Sequence, residues 1–405
     1  MTEPTPTPTP PPDPSSEKRR RSSCLGRLAA TVISFLIALG LAEIAVRVFG
    51  DEVLPNPIGP RYLYINDDAM GVALSPGFSG QFSLYDEFDV SIKISSQGFR
   101  DREFSAKKSG TTRIISLSDS FGFGFGVAGE DTYAKILEKS LNKGEEANRK
   151  YEVLNAGASG IGILEMIETL KRSGRWFAPD IVVASFFYGN DLQDIESFPQ
   201  HTVRGGIVIT PYFGKRVDES SWLQFCFNRS NLALLIERAK FNMTNKGVNL
   251  GSIAKPGEAG WDMRPILLRP DPKKPEEVKW FEHQEELWPP FEKHLATLKV
   301  ETEKLGATLV LLAIPQKFQT RDDAWEKMKS AAARSEDDYD RFLIGKKLTA
   351  ICTQTDVMFL DLVPGFRATP PSKPRYFNLN KHFNEEGNAF AAKLIEDFLR
   401  QRGLL

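Results

Sequence analysis

The fold class of this chain is decided by one stretch, Ile114-Ile115-Ser116-Leu117-Ser118-Asp119-Ser120-Phe121-Gly122. Its apolar first half predicts a buried β-strand that ends at Asp-Ser, and a turn rich in glycine and phenylalanine follows. Open α/β sheets place their chemistry at the carboxyl ends of parallel strands. Small residues after the strand let the backbone turn sharply and let a substrate approach closely. The stretch therefore predicts a parallel sheet with a reactive serine, Ser120, at its carboxyl edge.

From this strand onward, predicted strands alternate with predicted helices. The strands are Arg113–Leu117, Tyr151–Asn155, Ile181–Phe187, Thr308–Ile314 and Val357–Leu360. The helices lie around Tyr133–Leu141, Ile163–Arg172, Glu292–Leu305, Tyr339–Thr355 and Glu385–Leu399. Such alternation is typical of βαβ units and of a parallel sheet covered by helices on both faces. We therefore predict an α/β fold with three layers, a doubly wound parallel sheet of the flavodoxin-like kind.

The alternation of strands and helices is interrupted once, and a segment with a different pattern precedes it. Residues of about 195–285 are rich in Pro, Lys and Trp with little periodicity, which predicts an inserted lid at the carboxyl edge of the sheet. Upstream, alternating stretches at Gln81–Leu84 and Val90–Ile94 predict a small β element. The predicted domains are a tail over 1–27, a membrane anchor over 28–49, a linker with the small β element over 50–108, and the main domain over 109–403.

Composition excludes several classes of function. The net charge is −1, so nothing in the overall charge attracts nucleic acid. The three cysteines, Cys24, Cys226 and Cys352, are too few and too scattered for a disulfide framework or a zinc site. Because the four histidines do not cluster and no HExxH or CxxC pattern occurs, we expect neither a metal nor a cofactor.

The N-terminus resembles a membrane anchor. Residues 1–17 form a proline-rich repeat that predicts disorder, and a basic cluster precedes the uncharged stretch Leu28–Ala42. A helix continued to Phe49 spans roughly 33 Å at 1.5 Å per residue, enough to cross a bilayer, with Glu43 and Arg47 paired near its far end. The basic flank predicts the tail inside and the main domain outside. A cleaved signal peptide is the alternative, and a soluble core helix is the weakest reading.

Four blocks carry residues suited to acyl transfer. Ser120 ends the first predicted strand, Gly160 follows the second, Asn190 follows the third, and His382 lies before the last helix. A serine hydroxyl becomes a nucleophile when an imidazole takes its proton, and the oxyanion that forms needs preorganised donors. Three such donors are available: the backbone N–H groups of Ser120 and Gly160 and the side-chain amide of Asn190. Each residue taken alone also fits an ordinary helix cap or turn.

In these four blocks the sequence resembles the GDSL/SGNH hydrolase superfamily, over roughly residues 110–400. It looks closest to membrane-anchored bacterial members, some of which act in polysaccharide O-acetylation or deacetylation. The resemblance implies that Ser120 is the nucleophile and His382 the general base. It also implies that Gly160 and Asn190 complete the oxyanion hole.

Two positions depart from the family pattern. Ser118 stands where the family usually has glycine before Asp-Ser, a modest steric change. The family places an aspartate two or three residues before the histidine, where this chain has Asn380 and Leu379. Asn380 brings no charge to stabilise an imidazolium, and the corresponding Asp-to-Asn change in serine proteases lowers the rate roughly 10⁴-fold. The acid is therefore absent, supplied from elsewhere, or unnecessary in a Ser-His dyad; the candidate carboxylates are Asp361 and Glu385.

Three functions are compatible with these residues. The first is an SGNH-type serine esterase that acts on ester-linked acyl groups of an extracytoplasmic carbohydrate or lipid. The second is an O-acyltransferase that uses a polysaccharide hydroxyl instead of water. The third is a degenerate member that binds a glycan or a protein without turnover, which the presence of Asn380 favours.

The rings of Phe121, Phe123 and Phe125 are expected to fill the core around the nucleophile.

Overall fold

The computed structural model describes residues 14–53, 59–84, 87–143, 150–198, 201–209, 230–233, 235–236, 270–332, 338–369 and 372–405. The chain divides into two compact units, of which one comprises residues 1–55 and 219–244 and the other comprises residues 56–218 and 245–405. Residues 1–13 of the tail and most of the predicted insertion fall outside the described residues. Residues 14–17, predicted to be disordered, instead begin a helix.

The first unit is built on one long apolar helix, α1 (Pro14–Val53). Its segment Gly26–Phe49 has a mean hydropathy of 2.2, none of it is buried, and it is long enough to cross a membrane. The predicted pair forms, since Arg47 Nε donates to Glu43 Oε1 at 2.8 Å. The carboxylate of Glu43 also accepts bonds from the backbone N–H groups of Asn231 and Leu232, at 2.9 Å each. A segment distant in sequence thus contacts this helix within the unit.

The second unit contains a parallel sheet. Its strands, with those of three small hairpins, are β1 (Tyr64–Asp67), β2 (Gly71–Leu74), β3 (Ser79–Leu84), β4 (Phe88–Lys93), β5 (Thr111–Ser118), β6 (Lys150–Gly157), β7 (Ile181–Phe187), β8 (Thr202–Arg204), β9 (Ile207–Ile209), β10 (Thr308–Ile314) and β11 (Met358–Asp361). Five of these pair in parallel in the order β6-β5-β7-β10-β11. That order is the flavodoxin-like one, and the chain reverses direction across the sheet at β5. The predicted fold class is confirmed.

Helices cover both faces of the sheet. After α1 they are α2 (Ser120–Phe123), α3 (Tyr133–Leu141), α4 (Ile163–Phe177), α5 (Asp191–Ser197), α6 (Pro275–Glu303), α7 (Lys317–Thr320), α8 (Asp322–Ala332), α9 (Leu343–Thr355), α10 (Leu362–Ala368) and α11 (Glu385–Gln401). Side chains of α4, α6 and α9 pack on one face with Ile115 and Leu117, while α3, α10 and α11 pack on the other with Ile114. Successive β5 residues thus point to opposite cores, which explains the unbroken apolar run.

A third hydrophobic core packs the small β hairpins against the turn that follows Ser120. Phe123 and Phe125, from the turn after Ser120, are buried with Phe82, Phe88 and Ile92 of β3 and β4. The rings of Phe82 and Phe125 meet edge to face, with centroids 5.0 Å apart. The prediction that these phenylalanines fill the core is confirmed, and the small β element lies beside the predicted site.

Several elements differ from the sequence-based expectation. The helix expected from Glu292 begins at Pro275 and runs through Pro289 and Pro290, because Trp288 and its neighbours on the helix are buried in the core. That burial offsets the lost backbone hydrogen bonds. The hairpins of β1 with β2 and of β8 with β9, and the helices α2, α5, α7, α8 and α10, were not predicted. Apart from α6, the strands and helices of the main domain that were predicted begin within a few residues of their predicted positions.

Gly157, where β6 ends, is closely packed against the backbone of α2. A Cβ at this position would lie 2.3 Å from the backbone nitrogen of Phe123 and 2.6 Å from the carbonyl carbon of Gly122. Because neither atom moves without disturbing α2, we expect Gly157→Ala to lower the free energy of unfolding by about 2–3 kcal/mol. Thermal unfolding of the full chain in detergent should show Tm lower by about 4 °C or more.

Gly129→Ala is the matched control, since a Cβ there meets nothing within 4 Å. Its Tm should stay within about 1 °C of the wild type. Equal Tm values for the two variants would contradict the close approach at Gly157.

Candidate active site

Ser120 lies at the first position of α2, immediately past the carboxyl end of β5. Asp119 caps this short helix, and its side chain accepts the backbone N–H of Phe121 at 3.0 Å. The helix ends at Gly124, which adopts a left-handed conformation with φ of +81°. Asp119 therefore organises the turn and leaves the Ser120 hydroxyl at the carboxyl edge of the sheet.

Ser118 does more than replace a glycine. Its hydroxyl oxygen accepts the N–H of Gly122 at 3.0 Å and the hydroxyl of Ser185 at 2.6 Å. The same hydroxyl donates to Asp119 Oδ1 at 3.3 Å. These bonds connect the ends of β5 and β7 to the cap of α2. Serine at the position where the resembling family usually has glycine thus adds hydrogen bonds next to Ser120.

His382 is carried by a narrow hairpin that precedes α11. Tyr376 and Phe383 pair as an antiparallel bridge, and the N–H of Phe377 donates to the carbonyl of His382 at 2.9 Å. This arrangement directs His382 Nε2 to Ser120 Oγ, 2.7 Å away. The residues are 262 positions apart in the chain. The sequence-predicted nucleophile and base are therefore in hydrogen-bond contact, the geometry that proton transfer requires.

The imidazole of His382 lies between two phenyl rings. Its centroid is 4.6 Å from that of Phe125, with an angle of 21° between the planes, and 4.8 Å from that of Phe121. Nδ1 is buried and has no hydrogen-bond partner within the described part of the chain. Burial lowers the pKa of His382 to about 4, opposed by the backbone of Asn380. The imidazole is therefore neutral at pH 7 and able to accept a proton.

Asn380 contacts the backbone of the base rather than its ring. Its Oδ1 accepts the N–H of His382 at 2.9 Å, and its Nδ2 is buried without a partner among the described residues. Asp361, one proposed replacement acid, instead caps α10 by accepting the N–H of Val363 at 2.8 Å. Glu385 lies in the first turn of α11. No described carboxylate bonds to Nδ1 of the base.

Glu87 holds the segment that leads to the base, a role that the sequence did not reveal. Its Oε1 accepts the backbone N–H groups of Asn378 and Leu379, the latter at 2.8 Å, and its Oε2 accepts that of Asn380 at 2.9 Å. Glu87 directly precedes β4, about 290 residues away along the chain. Three consecutive N–H groups on one carboxylate fix the local backbone, since bonds to a charged acceptor are the strong ones.

Gly160 and Asn190, the predicted oxyanion donors, follow strands that flank β5. Gly157 pairs with Ser118, and Gly160 comes three residues later with φ of +78°, a conformation that favours glycine. Asn190 is exposed, precedes α5 and donates from Nδ2 to Asp194 Oδ2 at 2.5 Å. Both residues lie at the same edge of the sheet as Ser120. Their oxyanion role stays a prediction.

Acidic side chains lie behind this edge. Burial raises the pKa of Asp119 to about 6 and those of Asp194 and Glu165 to about 7. Burial, and then the charge of Asp119, raises the pKa of Asp191 well above its usual value. The described residues contain no group of three or more His, Cys, Asp or Glu side chains that could hold a metal ion. These carboxyls supply local hydrogen bonds, among them that from the N–H of Phe187 to Asp191 at 2.9 Å.

Comparison with known proteins gives structural neighbours only. No family model and no curated protein matches the sequence. Similar solved structures include an acetyl xylan esterase, 14% identical with a TM-score of 0.36, covering 71% of this chain and 99% of the other. A lipase/acylhydrolase from Enterococcus faecalis is 12% identical with a TM-score of 0.37, covering 72% and 96%. A putative G-D-S-L family lipolytic protein from Desulfitobacterium hafniense is 8% identical with a TM-score of 0.31, covering 71% and 98%.

The lowered pKa of His382 predicts an unusual pH dependence for any reaction in which it takes the proton of Ser120. Only the neutral imidazole accepts that proton, so the rate of such a reaction should fall as pH falls through the pKa of about 4. The value of kcat/KM should be half-maximal near pH 4 and flat from about pH 5.5 to 8, whereas an ordinary histidine gives a midpoint near 6.5. Hydrolysis of 4-nitrophenyl acetate, with circular dichroism to confirm folding at each pH, measures this profile.

Phe125→Ala is the companion variant, since it removes the ring stacked on His382. Hydration of the imidazole should move the midpoint upward, toward 6.5. A wild-type midpoint near 6.5 would show that His382 is not desolvated in the free protein.

Proposed function

We propose that this protein is a serine esterase of the SGNH type that removes acyl groups from an extracytoplasmic carbohydrate or lipid. The observation that carries the proposal is the 2.7 Å contact between Ser120 Oγ and His382 Nε2 at the carboxyl edge of the sheet. Ser120 Oγ attacks the ester carbonyl carbon as His382 Nε2 takes its proton. The N–H groups of Ser120 and Gly160 and the amide of Asn190 stabilise the oxyanion.

Collapse of the tetrahedral intermediate breaks the bond to the alcohol, which leaves with the proton from Nε2. Water, activated by the same nitrogen, then attacks the acyl-Ser120 ester and releases the carboxylic acid and the free serine. A sugar hydroxyl in place of water transfers the acyl group instead, which is the acyltransferase alternative. The two reactions share every group on the protein and differ in the acceptor that reaches Ser120.

We infer that Ser120 and His382 act as a dyad, because no described carboxylate bonds to Nδ1. A neutral imidazole that accepts through Nε2 carries its proton on Nδ1, which is buried and unpartnered. The imidazolium formed during attack lies between the rings of Phe121 and Phe125, and cation–π contact contributes about 0.5–2 kcal/mol. We therefore expect turnover well below that of an enzyme with a complete triad.

A fluorophosphonate probe tests the chemistry directly, because it phosphonylates activated serines. Full-length protein should be labelled once, and tandem mass spectrometry should place the label on Ser120. Labelling of another serine, or none under conditions where an active serine esterase is fully labelled, would contradict the proposal.

Asn380→Asp separates the esterase from a degenerate binding protein. Asn380 meets the backbone N–H of His382, so the variant should keep that bond and leave activity within about threefold of wild type. No esterase activity in the wild type, together with clear activity in the variant, would instead favour a degenerate binding protein. Acetate release from an acetylated polysaccharide, with and without an added sugar acceptor, distinguishes hydrolysis from transfer.

The apolar segment Gly26–Phe49 supports anchoring in a cell membrane. With the basic cluster Lys18–Arg21 on the inner side, the catalytic unit lies outside. A signal peptide is the alternative, and the N-terminal sequence of the mature protein decides between them: cleavage after Ala42 would exclude the anchor.

A further inference from the structure

A cavity of about 260 Å³ adjoins the hairpin that carries His382. One wall comes from the segment just past β10, which contributes Lys317 and Arg321, and the opposite wall from Arg375, Tyr376 and Asn378 of the hairpin. The cavity therefore lies at the carboxyl edge of the sheet, where open α/β folds bind their ligands.

The charge of this cavity is positive and only partly balanced. Arg321 is neutralised by Asp323, with two bonds of 2.8 Å. Lys317 forms no ion pair with any described carboxylate. Arg375 donates to the carbonyls of Phe366 and Thr369 and stacks 3.4 Å from the ring centroid of Phe390. Lys317 and Arg375 thus line the cavity without a salt bridge to a described carboxylate. The charges of Asp323 and Glu87 still act on Lys317, and that of Glu386 acts on Arg375.

A third cation borders the same region. Burial, and then the positive charge of Lys317, lowers the pKa of Lys381 to about 8. Burial and the charge of Arg321 lower the pKa of Lys317 as well. Lys381 directly precedes His382 and has a φ of +68°, a left-handed conformation that costs energy for a side chain of this size. The repulsion between Lys317 and Lys381 is reduced when an anion binds near them.

We propose that this cavity binds a negatively charged group of the substrate, a carboxylate or a phosphate, so that the preferred substrate is an acylated anionic carbohydrate. The proposal rests on the esterase function for the reaction at Ser120. The hairpin connects the two sites: Tyr376 and Asn378 face the cavity, while His382 in the same hairpin contacts Ser120. Lys317 is the main attractive charge, because it lines the cavity and forms no salt bridge with a described carboxylate.

The first experiment measures binding without turnover. Ser120→Ala protein, as the full chain in detergent, is heated in sodium glucuronate, methyl glucoside or inorganic phosphate at one ionic strength. The anions should raise Tm by about 2 °C near tenfold saturation and the neutral sugar should not. Adding Lys317→Gln should abolish the rise, while Lys373→Gln, an exposed lysine of the same segment that does not line the cavity, should preserve it.

The second experiment uses active protein and matched acetyl esters of methyl glucoside, methyl glucuronide and glucose 6-phosphate. Lys317→Gln should lower kcat/KM about five- to tenfold for the anionic esters and less than twofold for the neutral one. Loss confined to the glucuronide identifies a carboxylate site, and loss for the phosphate alone identifies a phosphate site. Equal kcat/KM for charged and neutral esters in the wild type overturns the proposal, as does a Tm rise that persists in Lys317→Gln. No hydrolysis of any ester, with a Lys317-dependent Tm rise, would refute the esterase and leave the anion site standing.

Discussion

Ser120→Ala is expected to lower the hydrolysis of 4-nitrophenyl acetate by roughly 10⁴- to 10⁶-fold, and His382→Ala by a similar factor. The reason is the 2.7 Å contact: the hydroxyl is a weak nucleophile unless Nε2 takes its proton, so loss of either group removes the same step. The double variant should lose no more than the stronger single variant. Initial rates of acid or nitrophenolate release measure all three.

Two controls separate this effect from general damage. Ser83→Ala changes another serine that bonds a carboxylate, and His283→Ala changes an exposed histidine paired with Glu196 at 2.8 Å. Neither lies at the proposed site, so both should keep wild-type rates and Tm. Retention of more than a tenth of the activity in His382→Ala, with activity absent from Ser120→Ala, would mean that another group serves as the base.

The sequence predicts the sheet well because its strands have only one reasonable interpretation. Ile181–Phe187 and Thr308–Ile314 are nearly continuous apolar runs, too short for core helices and close to Gly189, Gly306 and Pro315, and both have the predicted ends. The N-terminal half of α6 was missed since Pro289 and Pro290 signal a helix boundary. There the burial of neighbouring aromatic side chains outweighs the local preference, which no window of sequence reveals.

The contact between Ser120 and His382 was also predictable, and its surroundings were not. Ser120 and His382 each stand in a recognisable local pattern, whereas Glu87 is one glutamate among many until the fold brings it to the His382 hairpin. Likewise, Asn380 was expected near the imidazole because the resembling family has its acid at that position. Its actual partner is the backbone N–H of His382, since the tight turn at Lys381, with φ of +68°, folds the asparagine back on the chain.

Glu87→Gln is expected to lower kcat about 10- to 100-fold with little change in KM. An amide keeps one acceptor oxygen but turns an NH₂ group toward N–H donors that now bond a carboxylate, and each such charged bond is worth about 1.5–3 kcal/mol. The segment before His382 should then sample other positions, so Nε2 spends less time at Ser120. Substrate contacts are untouched, which is why the loss should fall on kcat.

Glu103→Gln is the matched control, since Glu103 also accepts a backbone N–H and a hydroxyl, both from Ser96, at 2.5 and 3.0 Å. Hydrogen exchange should rise at residues 377–382 in Glu87→Gln and stay at the wild-type level there in Glu103→Gln. Both variants remove a carboxylate that accepts backbone N–H bonds. A general loss of stability would therefore lower Tm and activity equally in the two. A kcat loss that accompanies local exchange in Glu87→Gln alone assigns the effect to the position of His382. Faster exchange with unchanged kcat would instead show that the imidazole is held by Phe121 and Phe125 without help from the hairpin backbone.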